Sequence, residues 1–192
     1  KELDLPDGLL NLVLGGSQVG NALVTSPETD MVTMTGSTRV GKQIAEAAAE
    51  NLTPVSLELG GKAPAIVAAD ADVDAAVEDI LTARITNAGQ VCTCAERVFV
   101  HEDVAAEFSE KYVAATEDLE LGPPKSNPDM GPQVTQSELD WTQSSVDAAV
   151  DAGATLLTGG EQPTGTAFES GFWYVPTVLG DVDPNMDVVE QE

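Results

Sequence analysis

Pro54-Val55-Ser56-Leu57-Glu58-Leu59-Gly60-Gly61-Lys62-Ala63-Pro64-Ala65-Ile66-Val67 contains two β-type runs, Pro54 to Leu59 and Ala63 to Val67, on either side of Gly60-Gly61-Lys62. Upstream lies a further β-rich run, Met31 to Thr35. It is followed by Gly36-Ser37-Thr38-Arg39-Val40-Gly41 and an alanine-rich helical pattern from Lys42 to Asn51. Downstream, Asp70 to Arg84 carries Val73, Ala76, Val77, Ile80 and Leu81 as a helical stripe. Arg97 to Val100 reads as a strand, and Asp103 is expected to cap a helix running through Glu120. Leu121 to Gln133 holds four prolines and two glycines and reads as a loop. A helix over Glu138 to Ala152, a strand at Ala154 to Leu157, and loop then strand over Gly165 to Val178 complete the C-terminal part. At the other end, Glu2 to Asp4 read as a helix end, and Pro6-Asp7-Gly8 as a turn. Leu9 to Leu14 before Gly15-Gly16 reads as a buried strand, and Gln18 to Val24 as a short helix. Strands alternating with helices imply an α/β fold with a largely parallel sheet. The glycine pair divides two such series, giving expected domains at residues 1–60 and 61–192.

The chain has 192 residues with 42% hydrophobic content, enough to bury a core. No run approaches the ~18 apolar residues of a membrane span, and no leader pattern stands at the N-terminus. Eight basic against 33 acidic residues give a net charge of −25. Such a surface repels nucleic acid and anionic membranes, whose binding needs cations against phosphate. The carboxylates are spread singly through amphipathic patterns, as in Asp70-Ala71-Asp72-Val73-Asp74. That fits a folded protein with a solvated acidic shell, suited to a high-salt cytoplasm where self-repulsion is screened, with an ordinary acidic protein as the bland alternative. Cys92 and Cys94 are the only cysteines, and one residue apart they are poorly placed for a disulfide. A reducing compartment follows.

Asn87-Ala88-Gly89-Gln90-Val91-Cys92-Thr93-Cys94-Ala95-Glu96-Arg97 joins a helical pattern to a strand, and such a loop can present a thiol to a cleft. Cys92 is a candidate nucleophile, set against the bland reading of a small core residue. Gly36 to Gly41 allows either a phosphate at a helix N-terminus or a plain glycine turn with a Ser/Thr cap. Glu58 lies on a solvated strand face, or else in a cleft where desolvation would raise its pKa and suit it to take a proton. His101 reads as a surface residue at a helix start rather than one half of a Cys–His pair, and Lys62 as a surface lysine, although beside a glycine pair it could meet an anion. Trp141, Trp173 and Tyr174 read as core or rim packing. Cys92, Cys94 and His101 make a poor zinc set, so no metal is expected.

Taken together, Thr35 to Gly41, Leu57 to Lys62, and Asn87 to Cys92 with Arg97 resemble the NAD(P)-dependent aldehyde dehydrogenases in order and spacing. Glu58 precedes Cys92 by 34 residues, also as in that family. The wording around Cys92 is most similar to the lactaldehyde and glycolaldehyde dehydrogenase branch. The resemblance implies a Rossmann-like cofactor-domain part followed by the start of the catalytic α/β domain, in a chain covering less than half of a family member. It implies Cys92 as nucleophile, Glu58 as general base, Gly36, Ser37, Gly41 and the Leu59 backbone at the cofactor, and Val91 and Thr93 beside the substrate. The cofactor would be NAD or NADP, with NAD favoured, the substrate a small aldehyde, and the full-length protein a homo-oligomer. The family's oxyanion-hole asparagine and cofactor lysine would lie upstream of Lys1, and its ribose-binding glutamate beyond Glu192. The isolated chain is therefore expected to be inactive or nearly so. A scaffold of the same fold, and a coenzyme A-acylating relative, are the alternatives.

Overall fold

The computed structural model describes residues 6–191, so the helix end expected at Glu2 to Asp4 lies outside the described residues. The chain divides into two compact units, Lys1–Gly60 and Gly61–Glu192. Among the described residues no helix is long and apolar enough to cross a membrane.

In the first unit, α1 (Ser17–Val24) precedes β1 (Val32–Gly36), α2 (Thr38–Ala49) and β2 (Val55–Leu59). Two strands can run parallel only if the chain crosses back between them, and α2 is that crossover. β1 pairs β2 in parallel from Val32 opposite Val55 to Gly36 opposite Leu59. The helix begins at Thr38, four residues before the expected Lys42, because Ser37 caps it: its hydroxyl accepts from the Val40 N–H at 3.4 Å. Gly41 is therefore in the first turns of α2 rather than ahead of the helix. The helix ends where Leu52 turns left-handed at φ 55° and the Thr53 N–H returns to the Ala48 carbonyl at 3.1 Å. The expected turn at Pro6-Asp7-Gly8 forms, with Gly8 at φ 81°. The buried strand expected at Leu9 to Leu14 does not. Those residues form no strand, and Leu10, Leu12 and Leu14 are about 85% exposed. A strand needs a neighbour to take its N–H and C=O groups. Among the described residues of this unit, the two strands take each other.

The second unit opens with β3 (Ala63–Val67), α3 (Val73–Ile85) and β4 (Ala95–Val100), again a parallel pair joined by a crossover helix. Asp72 caps α3 by accepting from the Ala75 N–H at 3.1 Å. Next comes α4 (Glu102–Glu117). Its cap is His101, whose Nδ1 accepts from the Asp103 N–H, so the expected Asp103 cap is corrected by two residues. Val67, Val73, Val77, Ile80, Phe108 and Tyr112 form the core beneath one face of the β3–β4 pair. The other face carries Ile66 opposite Phe99, and both are exposed. Lys111 on α4 bonds Asp74 of α3 at 2.6 Å, tying the two helices outside the core.

The proline-rich segment from Leu121 is a loop with one short helical turn at Pro124–Ser126. It leads to α5 (Gln136–Asp151), capped by Thr135, then β5 (Thr155–Thr158), β6 (Val178–Gly180) and the single turn α6 (Asp187–Glu190). β5 and β6 pair antiparallel, and between them lies loop with one short helical turn, Thr166–Phe168, where the sequence reads as loop and then strand. Trp173 and Tyr174 are buried, and Trp141 lies at the rim, 46% exposed. The α/β class with parallel pairing is borne out by β1–β2 and β3–β4.

Candidate active site

In the first unit, the parallel register brings the ends of β1 and β2 to one edge, Thr35 opposite Glu58 and Gly36 opposite Leu59. Ligands of open α/β sheets bind at such carboxyl ends. α2 begins directly there, and its first turn holds no acidic residue. The longer helices α3, α4 and α5 instead place Asp74, Glu102 and Asp103, and Glu138 in theirs. In a chain so rich in carboxylates, the first turn of α2 thus keeps its positive end free of acidic side chains, with one N–H taken by the Ser37 hydroxyl and Arg39 standing beside it. A helix start of this kind can take a phosphate group. Gly41 is buried, and a Cβ there would come within 2.6 Å of Leu59 Cδ2, so its missing side chain is what lets Leu59 lie against α2. Glu58 is exposed, on the solvated-face alternative.

In the second unit the chain leaves α3 at Ile85 and passes through a short turn, Thr86–Gly89. Asn87, Ala88 and Gly89 are successively left-handed, at φ 51°, 56° and 78°. Glycine takes that conformation freely, but for Ala88 it costs about 1–2 kcal/mol. Side chains hold the turn in place. The Asn87 amide donates to the Gln90 carbonyl at 3.2 Å, and the Gln90 amide returns a bond to the Asn87 carbonyl at 2.9 Å. From the proline-rich segment, the Gln133 amide donates to the Ala88 carbonyl at 3.4 Å, and the Val134 N–H to Gln90 Oε1 at 2.9 Å.

A second turn follows at once, closed by the Cys94 N–H on the Val91 carbonyl at 3.0 Å. Cys92 and Thr93 form its exposed tip, and Val91 is half-buried. Cys94 is 2% exposed, and its Sγ donates toward the Thr86 carbonyl at 3.8 Å. The two thiols of this chain therefore have opposite settings, one offered to solvent and one packed away. A reactive thiol needs access, which Cys92 has and Cys94 lacks.

Lys62 is not the surface lysine expected from sequence. Its ammonium bonds Glu96, and the two side chains are only 13% and 11% exposed. Arg84 Nη1 stands 4.0 Å from the other Glu96 oxygen and donates to the Gly89 carbonyl at 3.3 Å. Arg97 Nε donates to the Lys62 carbonyl at 2.9 Å. None of these contacts was foreseen from the sequence. The signal available was scarcity: with so few cations in the chain, each one flanking a motif warrants a search for its carboxylate.

Residues 1–192 match the aldehyde dehydrogenase family pattern. A 3,6-anhydro-alpha-L-galactose dehydrogenase of Streptomyces coelicolor is 50% identical over 190 residues, which is 98% of this chain and 39% of that protein. The solved lactaldehyde dehydrogenase of Escherichia coli superposes with a TM-score of 0.91 at 41% identity, over 97% of this chain and 39% of that one. Betaine aldehyde dehydrogenase of Staphylococcus aureus, solved with NAD+, gives 0.95 at 34% identity, over 98% of this chain and 38% of that one. The chain thus spans about 40% of the length of the relatives it matches. With the strand-end glycines, the glutamate of β2 and the cysteine turn in place along that whole span, the chain belongs to the aldehyde dehydrogenase family.

Proposed function

We propose that the whole protein oxidises a small aldehyde to its carboxylic acid with NAD(P), and that Cys92 is its nucleophile. The observation that carries this reading is the exposed Cys92 at the tip of a turn braced on both sides, while Cys94 is buried. On this reading residues 1–60 are the C-terminal part of the cofactor domain, and 61–192 the N-terminal part of the catalytic domain. The Cys92 thiolate attacks the aldehyde carbon, forming a C–S bond and an oxyanion that needs hydrogen-bond donors. The nicotinamide, when bound, supplies the hydride acceptor. The acyl group is then left on Cys92 as a thioester. Glu58 takes a proton from a water that attacks this thioester, and acid and thiolate separate. The exposure of Glu58 suits contact with water, and a carboxylate at this position favours hydrolysis over transfer to coenzyme A. Gly36, Ser37, Gly41 and the Leu59 backbone hold the cofactor, with NAD favoured, while Val91 and Thr93 flank the substrate. Lactaldehyde or another hydroxyaldehyde is the substrate class, in a cytoplasmic homo-oligomer with a salt-adapted acidic surface.

The test follows reduced-nicotinamide absorbance for the whole protein with lactaldehyde or glycolaldehyde, NAD+ or NADP+, with and without coenzyme A. Cys92→Ser is expected to abolish reduction. Glu58→Gln is expected to leave a burst of about one equivalent per subunit without turnover. Turnover that survives Cys92→Ser would overturn the reading, and a scaffold would reduce no cofactor at all. Dependence on coenzyme A would replace hydrolysis by acyl transfer.

A further inference from the structure

We infer that Glu96 is a positioning residue for Cys92, acting through an ionic clamp with Lys62 and Arg84; this rests on the reading of Cys92 as the nucleophile. The first support is in the strand register. Ala63 pairs Ala95, but Pro64 pairs Arg97, so Glu96 is the extra residue of a β-bulge. A bulge breaks the ladder locally and re-aims a side chain, and Pro64 has no N–H to lose there. The second support is charge placement. Lys62, Arg84 and Arg97 are three of only eight basic residues in the chain, and all three converge on this spot.

The contacts close a ring. Lys62 bonds Glu96, Glu96 faces Arg84, and Arg84 donates to the Gly89 carbonyl. Residues 89–96 are thereby fastened at both ends, with Cys92 between them. Arg97 secures the Lys62 backbone, and a Cβ on the neighbouring Gly61 would stand in ordinary contact with the Cys92 carbonyl, 3.8 Å away. Glu96 and Lys62 are mostly covered, so their attraction is screened little by salt. Neutralising Glu96 leaves the Lys62 ammonium covered and unpaired, which is unfavourable. The ring must then open, and the sulfur loses its fixed position. Displacement of about 1 Å is enough to cost about a hundredfold in rate.

The experiment has two readouts. In the 192-residue chain, backbone hydrogen exchange over residues 86–94 is compared with that over Glu102–Glu117. Glu96→Gln is expected to speed exchange over 86–94 about tenfold and leave the helix unchanged, with Glu96→Asp intermediate. Lys62→Met is expected to act in the same direction, and supplies the readout if Glu96→Gln does not fold. The Lys62→Met, Glu96→Gln double variant is expected to be no worse than Glu96→Gln alone. In the whole protein, Glu96→Gln is expected to lower kcat about tenfold to a hundredfold with little change in the cofactor KM. Unchanged exchange over 86–94, or an equal rise over the helix, would overturn the clamp. So would a Glu96→Gln enzyme with kcat intact. If instead Cys92→Ser leaves turnover intact, the nucleophile reading falls, while the exchange result still decides the clamp.

Discussion

Phe108 and Phe99 have the same side chain in opposite settings, so truncating each measures what holds the second unit together. Phe108 is 4% exposed and stacks on Tyr112 with ring centroids 5.3 Å apart, inside the cluster that supports β3 and β4. Phe99 is 51% exposed on the other face, with the Arg97 guanidinium 5.9 Å from its ring centre. Phe108→Ala loses the transfer free energy of a buried aromatic and leaves a cavity, together about 3–5 kcal/mol. Phe99→Ala loses roughly half a transfer term, and water fills the space. With a surface cation–π contact of about 0.5 kcal/mol, its cost is about 1–1.5 kcal/mol. The assay is urea unfolding followed by the fluorescence of Trp141 and Trp173, both in the second unit. For a slope near 2 kcal/mol/M, the midpoint falls by about 2 M for Phe108→Ala and about 0.5–0.7 M for Phe99→Ala. Equal shifts would refute the reasoning, because they would mean that both faces of the β3–β4 pair are covered.

Two further predictions concern solution conditions. Burial, and then the negative charge of Asp147, push the Tyr174 hydroxyl up to about 12. Its folded pKa is raised, so its contribution is fully present below its unfolded value near 10 and is lost as pH rises towards 12. Burial moves Tyr112 in the same direction. Tyr174→Phe is therefore expected to reduce, without abolishing, the fall in urea midpoint between about pH 9 and 12. Among the described residues the buried Tyr174 hydroxyl makes no well-formed hydrogen bond, the neighbouring Thr177 hydroxyl being engaged by Gly160 and Val175, so the same variant should be neutral or about 1 kcal/mol more stable at pH 7. An unchanged alkaline slope would show that Tyr174 ionises as if exposed. Secondly, a net charge of −25 opposes compaction, so raising KCl from about 0.15 M to 2 M is expected to raise the thermal midpoint by several degrees. A flat response would remove the case for a salt-adapted surface.

What could be read beforehand divides along local and non-local lines. β2, β3, α3 and β4 follow from apolar periodicity and flanking glycines, and they form close to where the pattern puts them. Each is decided largely by its own residues. Leu9 to Leu14 has an equally good strand pattern but is no strand, because a strand also depends on a neighbour that the pattern cannot supply. His101 displaced Asp103 as the cap of α4 because a ring nitrogen accepted the N–H bond, an outcome set by one side-chain rotamer. At the site, the sequence motif singled out Cys92, which stands exposed while Cys94 is buried. The Lys62–Glu96–Arg84 contacts were not legible, since they join positions 34 and 12 residues apart through a bulge that changes the register by one. Gly41 is marked as a cofactor residue through the family resemblance, and its visible role is to accommodate Leu59.

The exposed run Leu9 to Leu14 gives salt two opposing effects on this chain. Molecules carrying −25 charges hold each other apart at low ionic strength, even with a greasy segment uncovered. In molar salt that repulsion reaches only about 3 Å, while the attraction between apolar segments persists. The concentrations that favour the folded state are therefore also those at which separate copies begin to adhere through this run. Handling the chain by itself means working between those limits, where clarity of the solution and firmness of the fold no longer improve together.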